Sequence, residues 1–205
     1  MRPVRGGDRR SGFNLIEAVV VLAILGMVIA VGIPRALDSA HRSRFEGFLQ
    51  QAQAFLHRAK LDAVRSGAPV MVWIEADSTT PRVVASADVP PLAVPAGLAV
   101  AGPQGPGDAF DGLTGIDAGA ARRSREVVRG DARAVVFRGD GSVHDAGAFR
   151  FADDSGNFLE LRVAPQATAR IAIRKYDPDP GLAANPIDDS RWYERGEGGR
   201  SWRWN

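Results

Sequence analysis

Residues 12–34 read GFNLIEAVVVLAILGMVIAVGIP. From Ala18 to Ile33 the stretch holds sixteen residues without a charge. With Phe13–Glu17 and Pro34 it makes 22 residues, about 33 Å as a helix. That is close to the ~30 Å hydrocarbon thickness of a bilayer, so a membrane-spanning helix is expected over 13–34. A secretory signal peptide would place its small-residue cleavage site after the apolar run. Here a basic dozen ends in Ser11-Gly12, and the apolar run follows at once. The charge that breaks the pattern is Glu17, five residues after Gly12. A charge at the centre of a membrane helix costs on the order of 3 kcal/mol, so it needs a reason. Pro34 lacks an amide hydrogen and marks a point where the helix can kink. Gly26 and Gly32 permit close helix contact, although small residues are common in such helices anyway.

Outward from this stretch the helical pattern continues. Phe45, Phe48, Leu49, Ala52, Leu56, Ala59 and Ala63 follow i, i+3, i+4, i+7 spacing. Glu46, Gln50, Gln51, Gln53, Arg58 and Asp62 fill the positions between them. One apolar face against polar flanks predicts an amphipathic helix over 35–66, ended by Gly67 and Pro69. A single helix from about 14 to 66 would be roughly 80 Å long, its first half apolar throughout and its second half facing a globular domain.

The rest reads as strands and turns. Val70–Ile74 is a β-branched and aromatic run, with Arg82–Ala85 as its hairpin partner. Residues 90–114, rich in proline and glycine, read as a long loop with a short strand near Leu98–Val100. Ala134–Phe137 is a strand, Gly139–Gly141 a turn, and Phe149 and Phe151 alternate with Arg150. A turn at 153–157 then leads to alternation over Phe158–Val163, and Ile171–Arg174 ends the series. The expected fold is α+β, the long N-terminal helix packed on an antiparallel β-sheet head over 67–176, with a tail at 177–205.

Charge narrows the function. The chain has 205 residues, 26 basic and 24 acidic, net +2, with no cysteine. Disulfides and thiolate chemistry are therefore excluded. Residues 1–12 carry four arginines against one aspartate, net +3, so the remainder is net −1. The basic character belongs to the first dozen residues, and a nucleic-acid partner is not expected. An arginine cluster at Arg122, Arg123 and Arg125 is the local exception. His41, His57 and His144 share no motif, and no metalloprotease, nucleophile-elbow or phosphate-loop pattern occurs. No catalytic residue, metal or cofactor is expected. Asp140, Asp145, Asp153 and Asp154 supply oxygen ligands of the kind calcium takes, but lie around turns, where aspartate ordinarily bonds its own backbone.

The order basic leader, Gly12, Phe13, Leu15, Glu17, then about twenty apolar residues resembles the type IV prepilin signature, with Asn14 where threonine is commoner. The resemblance implies that a prepilin peptidase cuts between Gly12 and Phe13 and methylates the new amine of Phe13. It leaves a leader of residues 1–12 and gives Glu17 a role. A carboxylate four residues along can neutralise that amine in a neighbouring subunit or its own chain, setting register during assembly. The alternative is a glutamate that favours the helix macrodipole. Over most of residues 13–175 the chain also resembles the GspH/FimT family of minor pseudopilins and minor pilins. Ala59–Val72, the Phe137–Ser142 turn and the hairpin from Phe149 to Val163 carry this second resemblance. It implies a structural, non-enzymatic subunit of a type II secretion pseudopilus near the filament tip, or alternatively a minor pilin of a type IV pilus serving motility, adhesion or DNA uptake. The partners implied are prepilin peptidase, other minor and major pseudopilins and the inner-membrane assembly platform. The implied location is the bacterial inner membrane as a single-pass protein with a periplasmic C-terminal domain, and then the periplasmic filament.

The tail lies beyond this pattern. Trp192, Tyr193, Trp202 and Trp204 stand among arginines there. Three readings are open: a segment folded back onto the sheet, a docking surface, and a stacking surface for single-stranded nucleic acid. The first is preferred.

Overall fold

The structure is a computed structural model that describes residues 15–76, 80–178 and 191–204, with side chains throughout except at 31, 32 and 34–36. The chain divides into two compact units, Met1–Arg44 and Phe45–Asn205. Helix α1 (Leu15–Ser66) contributes residues to both.

In the first unit α1 runs unbroken through position 34. Its apolar side chains are exposed: Leu15, Ile16, Leu22 and Met27 each keep 68% or more of their surface, and Val19, Ile24, Val28 and Ile33 about half or more. Two expectations are corrected here. Among the described residues no helix is long and apolar enough to cross a membrane. The membrane-spanning first half of the expected fold, and the single-pass inner-membrane location drawn from it, are therefore overturned. The charged Glu17 in the first turn of that helix works against such a span.

The second unit is α+β with antiparallel sheets. The sequence suggested one sheet, and there are two. Strands β1 (Val70–Glu75), β2 (Arg82–Ala85), β3 (Leu92–Ala93), β6 (Thr114–Ile116) and β7 (Ala132–Phe137) form the first, in the order β3-β2-β1-β7-β6. Strands β4 (Leu98–Ala99), β8 (Gly147–Asp153), β9 (Phe158–Val163), β10 (Ile171–Tyr176) and β11 (Trp192–Glu194) form the second, in the order β11-β10-β9-β8-β4, and β5 (Phe110–Asp111) also pairs with β8. Helix α2 (Ala118–Arg123) is short, its first turn capped by the Asp117 carboxylate, which accepts the Ala120 N–H. The hairpin expected between Val70–Ile74 and Arg82–Ala85 forms, with Trp73 opposite Val84.

Burial explains the layers. The seven apolar positions picked out by helical spacing, Phe45 to Ala63, are all at most 3% exposed. They pack into a core with Val70, Val72, Val135 and Phe137 from the first sheet and Phe149, Phe151, Leu159, Leu161 and Val163 from the second. Alternate side chains of the first sheet point the other way. Met71, Trp73, Val84, Ala134 and Val136 form a second apolar cluster with Ile116 and with Ala121 of α2. Gly67 ends α1 with φ 66°, the left-handed conformation usual after a helix. Gly139 lies against it: a Cβ there would stand 2.7 Å from the Gly67 carbonyl carbon.

Candidate functional site

The residues expected to be cut and methylated, Gly12 and Phe13, lie outside the described residues. Glu17 lies in the first turn of α1, and its side chain is exposed. A carboxylate there faces the positive end of the helix dipole. Pro34 is within the helix, but its side chain is outside the described residues. The surface that singles out α1 in the first unit is thus the apolar stretch over residues 15–30, exposed at all but Ala18, with one carboxylate near its start. In the second unit the outward face of α1 carries Ala54, His57, Leu61 and Val64, all exposed, Leu61 to 64%. His41 is exposed as well.

The tail folds onto the second unit. Strand β11 pairs with β10 and places Lys175 opposite Tyr193, which is buried. Trp204 packs edge-on to Phe45 at 6.2 Å, and the Lys175 ammonium stands 5.1 Å from its ring. The Trp202 indole donates to the Tyr193 carbonyl at 3.4 Å, and Arg195 covers the Trp202 ring at 4.6 Å while pairing with Glu46 at 2.5 Å. These aromatics are engaged by their own chain, which is the folded-back arrangement.

The arginine cluster is largely neutralised. Arg122 pairs with Glu75, and Arg125 with Asp62 at 2.9 Å. Two of the acidic turns also satisfy themselves. Asp140 accepts from the Ser142 N–H at 2.9 Å and its hydroxyl at 2.6 Å. Asp153 accepts from the Ser155 and Asn157 N–H groups at 2.9 and 2.8 Å. Those Ser142 bonds hold the Asp140 carboxyl below its ordinary value. Among the described residues no three His, Cys, Asp or Glu are placed to hold a metal ion. His144 lies beside Asp145 (Nδ1 to Oδ2, 2.9 Å), and the Thr114 hydroxyl donates to the same carboxylate. Thr114 first, then His144, lowers the Asp145 carboxyl from its usual range.

One arrangement was missed in the sequence. Cross-strand register puts Arg150 opposite Glu160 and Arg174 opposite Glu160, on β8, β9 and β10. Glu160 has no exposed surface. The Arg150 Nε donates to it at 3.1 Å and the Arg174 Nε at 2.7 Å. Arg150 also binds the Asp108 carboxylate and carbonyl, pinning the Gly/Pro-rich segment before β5 to the sheet. Alternation of charged with apolar residues along β8 and β9 was the visible signal. What it lacked was the register that brings the three positions together. Compared with models of known families, with curated proteins and with solved structures, the chain matches none.

Proposed function

We propose that the chain is a structural subunit of a filament, a minor pseudopilin of a type II secretion apparatus, working through helix packing and head contacts. The observation that carries this reading is the first part of α1, apolar over residues 15–30 apart from Glu17 and exposed at every one of them but the half-buried Ala18. A helix apolar all round is covered in its working state, and equivalent helices of neighbouring subunits supply that cover. Glu17 then meets the methylated amine that prepilin peptidase leaves on Phe13 of a neighbour, and the paired charges fix the axial register. The exposed Leu61 and Val64 extend the helix surface offered to other subunits, both major and minor, as the assembly platform adds them.

Because the chain has no cysteine, single cysteines report its neighbours cleanly. Leu22→Cys and Met27→Cys, expressed with the major subunit carrying a cysteine at the matching helix position, are expected to give cross-linked hetero-oligomers. Adding Glu17→Lys is expected to remove them. A chain that stays uncross-linked at both positions, with the filament otherwise assembled, would overturn the proposal.

A further inference from the structure

After β11 the chain turns through residues 195–199 and comes back past Tyr193 as residues 200–204, which form neither helix nor strand. One phenol holds this strap at two points. The Tyr193 hydroxyl donates to the Ser201 carbonyl and accepts the Arg203 N–H, each at 3.4 Å. The main-chain carbonyl of the same residue accepts the Trp202 indole, also at 3.4 Å. All three bonds are longer than the ordinary range for N–H and O–H donors, and so weak. The turn before them is closed by a bond of normal length, from the Gly196 N–H to the Arg200 carbonyl at 2.9 Å. The loose part therefore begins after Arg200.

Tyr193 itself belongs to the domain. It is 2% exposed, and its strand is paired with β10. Ser201 and Arg203 are exposed, while Trp202 and Trp204 are half-buried against the core. The packing under Trp202 is incomplete: a hollow of about 270 Å³ lies between Trp202 and Arg195 and the α1 residues Glu46, Gln50 and Gln53. The ion pair that closes this side, Arg195 with Glu46, has an arginine 57% exposed, and water screens such pairs. A chain end with weak fastenings and incomplete packing opens at lower free energy than the strands beneath it.

We propose that residues 200–204 are a clasp that opens as its own unit while both sheets stay folded, with the Tyr193 hydroxyl as its pin. Closed, it sets Trp204 against Phe45, the first core residue that α1 contributes to the second unit. Open, it takes that cover away. This inference does not depend on the filament reading.

The test is hydrogen exchange followed by nuclear magnetic resonance on the ¹⁵N-labelled full-length chain, in urea below the unfolding transition. The probes are the Trp202 indole N–H, assigned by Trp202→Phe, and the amides of β9. Strand β9 lies between β8 and β10 and reports unfolding of the domain. The Trp202 indole is expected to be less protected than β9, with an exchange rate nearly independent of urea, because a strap that opens alone exposes little surface. Exchange of β9 is expected to rise steeply with urea. Tyr193→Phe keeps the ring and the carbonyl that accepts the indole. It is expected to speed Trp202 exchange about tenfold through the loss of two weak hydrogen bonds. A Trp202 indole that shares the protection and urea dependence of β9 would overturn the proposal. So would a folded Tyr193→Phe chain whose Trp202 indole exchanges at the native rate. If that variant does not fold, the urea dependence of the native chain decides.

Discussion

Glu160 is a carboxylate without access to solvent, held between two guanidinium groups. Its burial is offset by the bonds from both partners, so replacing it leaves Arg150 and Arg174 poorly compensated. Glu160→Gln is expected to lower unfolding free energy by about 3 kcal/mol, read from urea denaturation. A loss within experimental error would show that the cluster contributes nothing. Arg150 keeps Asp108 as a second partner, so the low end of the range for a broken buried pair is expected. Asp145 makes a gentler prediction. Its carboxyl is depressed first by the Thr114 hydroxyl and then by His144. A depressed carboxyl stabilises the fold above its unfolded value of about 3.9, and that contribution is lost as pH falls through the lower folded value. The stability gap between the native chain and Thr114→Val is therefore expected to be full above about pH 5 and to narrow below about pH 4. A gap that widens on acidification would contradict the assignment. Neither cluster was legible in the sequence. Thr114 and Asp145 are distant in the chain, and Arg150, Glu160 and Arg174 meet only through register, which no single strand encodes.

At the scale of elements, the second half of α1 was the most legible part, because its apolar face repeats over five turns. Its two faces should respond oppositely to mutation. Leu56 has no exposed surface, and Leu56→Ala is expected to cost about 2–5 kcal/mol. Leu61 is 64% exposed, and Leu61→Ser is expected to change stability by less than about 0.5 kcal/mol while weakening assembly. Thermal or urea unfolding reads the first effect, and cross-linking yield the second. If Leu61→Ser proved as destabilising as Leu56→Ala, the outward face would have an intramolecular role. The elements the sequence hid are short. Strands β3, β5, β6 and β11 have two or three residues each, too few for alternation to register. They fall in a segment that proline and glycine mark as loop, or in a tail without pattern. Helix α2 spans six residues, less than two turns, and offers no periodic face.

For the whole molecule, the N-terminal stretch was read as a membrane span on length and hydropathy, and that reading did not hold among the described residues. What holds is an exposed apolar helix in one unit and, in the other, a two-sheet domain built on the same helix's continuation. Residues 1–12 carry net +3 and the remainder net −1, so loss of the first dozen residues would change the charge of the chain as well as its length. The central claim is that the chain is a processed filament subunit. The most direct measurement is the intact mass and N-terminal sequence of the protein isolated from its native cells. The account expects a chain that begins at N-methylated Phe13. A chain still beginning at Met1, in cells where prepilin peptidase is active, would contradict it.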